Sequence, residues 1–164
     1  METNTVSNRM YAIVVLYDMH TGFFAKAIQG ISDEDAQNRL NTKANHIAWL
    51  TGSLVHQRYT LAKELGIEQE TITEELFKDN KGIQDGVTYP TLADLKKEWD
   101  HLTPEVRKAL QDTTDEQLDK QIDMEGMTMS VYDLIVFTIY REASIIGQVA
   151  LWRRLLGHKG MDYM

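Results

Sequence analysis

"HIAWLTGSLVHQRY", residues 46–59, puts two histidines, a tryptophan and a tyrosine on one short stretch, and its spacing decides the fold. On a 3.6-residue wheel, Ile47, Leu50, Leu54 and Leu61 form an apolar line. His46, Trp49, Ser53, His56 and Thr60 form a second line at steps of three and four. The segment is therefore a helix with two inward-capable faces. The second face mixes polar tips with an indole, the pattern of a surface that looks into a partly wet cavity rather than a dry core.

Outward from this helix the chain keeps the same period. Only Pro90 and Pro104 interrupt it, and no segment alternates with period two between turn dipeptides, so the fold class is all-α. A first helix runs from Ser7 or Asn8 to Gln29, with Gly30 as its stop and Ile13, Tyr17, His20, Phe24 and Ile28 on one stripe. The helix of the quoted stretch is placed at Asn41 to Leu65, stopped by Gly66. "DNKGIQDGVTYP", residues 79–90, is a loop over the bundle, long enough for a binding role.

A third helix carries Leu92, Leu95, Trp99, Leu102, Val106 and Leu110, with Thr103-Pro104 expected to kink or restart it. "TTDEQLDKQI", residues 113–122, is a short capped turn, and a fourth helix runs from Ser130, its N-cap, to Leu156, closed by Gly157. Four long helices predict one domain over 1–164: an up-down four-helix bundle with no sheet larger than a hairpin. Ile47, Leu50, Leu54, Leu95, Trp99, Leu102, Leu134 and Trp152 are its expected core.

Composition narrows the function. The 164 residues are 43% apolar and 26% charged, enough for a sizeable core. A net charge of −8 with 17 scattered Lys and Arg offers nucleic acid no basic track. No cysteine is present, which removes a disulfide framework, a thiol nucleophile and Cys-ligated zinc. "METNTVSNRM" lacks the layout of a signal peptide, and the longest unbroken apolar run, "AIVVLY", is too short for a bilayer, so a cytoplasmic location without membrane association is expected. The methionines of "MEGMTM" and the tail "MDYM" are read as ordinary core or terminus, and His101 and His158 receive no role.

The fourth helix complements the second face of the quoted one. Its line Leu134, Thr138, Arg141, Ile145, Gln148, Trp152 holds Arg141 and Gln148 where a packed bundle would want leucine. A buried guanidinium needs a carboxylate, carbonyls, water or an anionic ligand. In the other phase of the wheel, Arg141 faces solvent and Glu142 or Ile139 faces the core, and the sequence leaves both phases open.

"NHIAWLTGS" in the second helix and "YREASIIGQVALWRRLLG" in the last together resemble the DinB/YfiT-like superfamily over nearly the whole chain. Its members are four-helix bundles, often homodimeric, and many bind a divalent metal through three histidines. Glu142, Ala143, Gly147, Gln148 and Arg153 to Gly157 match the family's pattern in the last helix, where Arg141 and Ile145 stand in the places of two ligand histidines. In the second helix the family's W-L-x-G-H places Ser53 at the third. The resemblance therefore implies a member with an altered metal site. His46, seven residues before Ser53, lies about 10 Å away along the axis, beyond the reach of a shared ion. Arg141 brings a fixed positive charge without coordination or a metal-bound water to activate.

The expectation is a small-ligand-binding or non-catalytic homodimer with no bound metal or other cofactor. Its pocket would be lined by His20, His46, Trp49, Ser53, Arg141, Ile145 and Gln148, with water or a small anion beside Arg141. No catalytic residue is assigned. The alternative is a zinc- or nickel-dependent thiol (bacillithiol-type) S-transferase or hydrolase with rearranged ligands such as His20, His46 and Glu142.

Overall fold

A computed structural model describes residues 3–163, except Glu125 and the side chain of Met124. Met1, Glu2 and Met164 lie outside the described residues, as do the parts of the N-terminal and methionine readings that fall on them.

After a 3-10 turn at Asn8–Met10 come α1 (Tyr11–Ile28), the single turn α2 (Asp33–Ala36) and α3 (Ile47–Glu64). Then follow the short α4 (Glu74–Phe77), α5 (Leu92–Asp112) and the turn α6 (Asp115–Leu118). A hairpin of β1 (Gln121–Met124) and β2 (Met127–Ser130), antiparallel with Gln121 opposite Ser130, leads into α7 (Val131–Leu155).

Each long helix begins and ends where its chemistry asks. Ser130 and Asp133 form a capping box at the start of α7, and Thr114 and Gln117 do the same for α6. Gly66 and Gly157, at φ +83° and +86°, let the chain turn back so that Ile67 N–H reaches Ala62 O and His158 N–H reaches Arg153 O, both at 2.9 Å.

Two expected boundaries move. Helix α3 starts at Ile47 rather than Asn41, because Asn38 Oδ1 accepts from Leu40 N–H (2.8 Å) and Leu40 and Asn41 take left-handed φ of 49° and 59°. These local bonds compete with the helix, which His46 then caps. Helix α5 runs unbroken through Pro104. Pro104 and Asp100, the residue whose carbonyl loses its partner, both lie on the exposed face, so the lost bond is not buried in the core.

Helix α1 packs against α7 and α5, and α3 against the same two. Arg9 lies over the Tyr132 ring, and Arg153 donates to Ala27 O at 2.8 Å, so α1 and α7 run parallel. Ser53 meets Arg141 and Gln57 meets Thr138, which makes α3 antiparallel to α7. Phe24 stacks on Trp99 while Asp18 binds Arg107, which makes α5 antiparallel to α1. The expected bundle thus takes the directions up, down, down, up, with residues 65–91 carrying the chain back to start α5 alongside α3.

The core is the set of apolar side chains between the four helices, with all eight residues expected there buried. Helix α7 is long and apolar enough to cross a membrane by length and composition, which corrects the reading that no segment is. Half of its most apolar window is buried against the rest of the bundle.

Candidate functional site

The polar groups between the helices fall into two neighbouring clusters, because adjacent residues on α7 point about 100° apart. Glu142 turns inward and Arg141 turns toward a cavity beside α3. Of the two phases of the wheel left open by the sequence, the one with Glu142 and Ile139 in the core is found, with Arg141 half-buried rather than fully in solvent.

In the inner cluster, Arg58 of α3 grips Glu142 with Nε on Oε1 (2.9 Å) and Nη2 on Oε2 (3.1 Å). Arg58 Nη1 also donates to Thr103 Oγ1 (2.9 Å) and Thr21 Oγ1 (3.2 Å), and the guanidinium lies 3.2 Å from the Trp99 ring centroid. Burial works to raise the Glu142 carboxyl, but the Arg58 charge and its two hydrogen bonds, with the His20 ring nearby, outweigh it and hold the group below its ordinary value. Burial also pushes the nearby Tyr17 phenol up to about 12. His20 belongs to this cluster: its Nδ1 is buried 3.4 Å from Glu142 Oε2, without hydrogen-bond alignment. Buried and bonded to one another, these groups tie the four long helices together.

The outer cluster lines a cavity of ≈ 390 Å³ between α3, α7, the hairpin and the chain after α4. Trp49, Ser53, His56, Gln57 and Thr60 face it from α3, and Leu134, Phe137 and Arg141 from α7. Phe77, Asp79, Asn80, Lys81 and the methionines Met127 and Met129 close the remaining sides. Arg141 is half-buried, and its only hydrogen bond among the described residues is from Nη2 to Ser53 Oγ, at 2.8 Å. No carboxylate lies within ion-pair distance of it among the described residues, and burial lowers its pKa.

His56, one turn beyond Ser53, has its pKa lowered by burial, with Glu74 opposing and Arg141 assisting, so it stands neutral at pH 7. A larger groove of ≈ 940 Å³ shares His56 and Thr60 with this cavity, but Glu64, Glu68, Glu70 and Glu74 line it and would repel an anion.

Of the residues expected at the pocket, Trp49, Ser53 and Arg141 meet there. The other four lie elsewhere. His46 caps α3, its Nδ1 accepting from Trp49 N–H (3.0 Å), and its ring packs edge-on against Tyr89. His20 is in the inner cluster. Ile145 is buried in the apolar core and Gln148 is exposed, because the buried line of α7 runs through Leu134, Thr138, Glu142, Ile145, Val149 and Trp152. Arg141 is not paired with Glu142, its neighbour on α7, whose carboxylate is held by Arg58.

Sequence reasoning passed over Arg58, although it stands on the apolar line of α3 between Leu54 and Leu61, where a cation signals a buried partner. It also left His56 and Gln57 out of the site, although His56 lies on the same line as Ser53. Phe77 had no signal of its own, since it sits on a single helical turn with no period to read.

A divalent metal does not fit the residues at the family's ligand positions: Ser53 offers a hydroxyl, Ile145 a hydrocarbon and Arg141 a permanent cation. The rearranged set fails on distance. His46 and the level of Glu142 are about twelve residues of α3 apart, or roughly 18 Å along its axis. Among the described residues no three His, Asp or Glu side chains converge.

The sequence pattern of the DinB superfamily matches residues 17–148, from the middle of α1 to well into α7. Among curated proteins, none matches the chain.

Proposed function

The chain belongs to the DinB superfamily, and on that premise we propose that it binds a small organic carboxylate through Arg141, without a metal and without chemistry of its own. The supporting observation is the guanidinium itself. It is drawn into a cavity by its own helix, holds one serine hydroxyl, and has no carboxylate within ion-pair distance among the described residues, although Asp79 lines the same cavity. A desolvated cation in that state is costly unless an anion completes it, and the planar fork of arginine suits a carboxylate at two points. The ≈ 390 Å³ cavity is of the size that small ligands occupy, with aromatic and aliphatic side chains beside polar and charged ones.

Titration calorimetry of the intact protein against acetate, phenylacetate and phenethylamine tests this. Binding of the acids, absence of the amine and loss of binding in Arg141→Met support the reading. Acids that bind Arg141→Met as well as they bind the native chain would refute it. Elemental analysis after incubation with zinc and nickel tests the metal-free part, and a stoichiometric ion would revive a metal-dependent transferase or hydrolase.

Assembly as a homodimer belongs to the same proposal. Helices α1 and α7, parallel neighbours, both leave apolar side chains in water, among them Leu16, Met19, Tyr140 (67% exposed) and Leu151. Light scattering at micromolar concentration decides it, with Leu151→Glu expected to yield monomer.

A further inference from the structure

We infer that Phe77, seated on Gly52, selects the acid: the carboxylate held by Arg141 carries a single flat aromatic ring, and Phe77 sets the limit on its size. This rests on the carboxylate reading of the site and goes beyond it by naming the ligand's body.

The fit of Phe77 is unusually close. A Cβ placed on Gly52 would fall 2.8 Å from Phe77 Cζ and 2.9 Å from Cε2, so only glycine admits the ring at this depth. Gly52 lies on α3 between Trp49 and His56, and Phe77 packs against both of their rings, at centroid distances of 5.7 and 5.9 Å. Tyr89 holds its far side at 5.9 Å. The phenyl ring is 5% exposed, although α4 is only one turn long. Its position is thus fixed by an aromatic cluster and a missing side chain rather than by the helix that carries it.

That ring forms one wall of the cavity, with Trp49 beside it; Leu134 and Phe137 come from the facing helix α7. Arg141 and Ser53 line the same cavity, so an acid bound to the guanidinium has its body within reach of these aromatic side chains. Flat rings gain from edge and offset contacts with such walls in a way that puckered aliphatic rings do not. Met127 and Met129 at the margin add polarizable sulfur, which favours the same partner. Because Gly52 lets Phe77 sink onto α3, the space that remains is set by how deep the ring sits.

The test is calorimetric titration with phenylacetate, cyclohexylacetate and 2-naphthylacetate, on the native chain and on Phe77→Leu, Phe77→Ala, Gly52→Ala and Arg141→Met, each first checked for a cooperative melt. In the native chain phenylacetate should bind about threefold to tenfold tighter than cyclohexylacetate, the size of an aromatic pair contribution. 2-Naphthylacetate should bind more weakly than phenylacetate.

Phe77→Ala should move the preference toward the naphthyl acid by about tenfold, and Phe77→Leu, the gentler change, should move it the same way by less. Gly52→Ala should weaken every acid. If the Phe77 variants fold and keep the native order of acids while Arg141→Met still abolishes binding, the role of Phe77 is overturned and the carboxylate reading stands. If no acid binds the native chain, or Arg141→Met binds all three unchanged, the carboxylate reading itself fails and Phe77 with it.

Discussion

Arg58 and Glu142 form a two-point ion pair in the middle of the bundle, at 2.9 and 3.1 Å, with both side chains 1% exposed. The pair joins α3 to α7, and the hydroxyls of Thr21 and Thr103 bring in α1 and α5, so all four long helices meet at one guanidinium. Removing one partner leaves a buried charge unmatched. Glu142→Gln should therefore cost about 3–5 kcal/mol in urea unfolding. Arg58→Met with Glu142→Leu should cost less than the two single changes added together, because the double variant leaves neither charge stranded. Simple additivity in that cycle would show that the pair is not coupled as the geometry requires.

The inner pair and the cavity differ in what the sequence could disclose. Helix phase was legible wherever apolar residues repeat: Ile47, Leu50, Leu54, Leu95 and Leu102 are buried because their spacing allows one face only. Polar residues on such a face are ambiguous, since a cation inside a bundle and a cation at its rim have the same spacing. Arg58 reads as an interruption until Glu142 is seen opposite it. Arg141 was legible as an anomaly, and the family resemblance placed Ser53 in the same pocket, but the bond between them was not legible, because Ser53 lies 88 residues away and only the antiparallel setting of α3 on α7 brings them together. His46 was misplaced for a local reason: left-handed Leu40 and Asn41 delay the helix, so the residue read as part of a face becomes its cap. Gln148 was misplaced by the drift of a real helix against a fixed step, which moves the buried position to Val149.

The His46 cap predicts a pH dependence. Its Nδ1 accepts a hydrogen bond and so must be unprotonated, and burial lowers its pKa from 6.5, with its own backbone opposing and Arg39 assisting. The folded chain thus takes up this proton less readily than the unfolded chain. Stability is full above pH 6.5 and falls as the pH drops below 6.5 toward the lower folded-state value, where the slope ends. His56, lowered in the same sense, adds to the effect. His46→Asn keeps a capping acceptor that does not titrate, and should flatten the pH profile of the urea midpoint between 7 and 5. An unchanged slope in that variant would remove His46 as its source.

Arg141 should be a residue that the fold tolerates at a loss. Its desolvated charge lacks a carboxylate among the described residues, so Arg141→Met, which fills similar space with apolar atoms, is expected to gain about 0.5–2 kcal/mol of stability while losing acid binding. Differential scanning calorimetry without ligand measures the gain. A lower melting temperature in Arg141→Met would mean that the arginine serves packing, and that its bond to Ser53 is structural.

The altered ligand positions yield the last prediction. Arg141 and Ile145 are one turn apart on α7, and Ser53 touches Arg141 from the facing helix, while Ile145 itself packs in the apolar core beside them. Replacing Ser53, Arg141 and Ile145 together by histidine removes the fixed cation and supplies three imidazoles, the donor type that zinc and nickel accept. The triple variant should bind one equivalent of either ion, and the melting temperature should rise with metal concentration because the ion binds only the folded state. A hundredfold excess over the dissociation constant corresponds to about 2.7 kcal/mol. Ser53→His with Arg141→His alone should bind far more weakly, since two ligands leave the ion without a third anchor. A triple variant that melts cooperatively yet shows no metal-dependent shift would mean that these positions do not converge, and that the match between this bundle and the three-histidine pattern fails at the site itself.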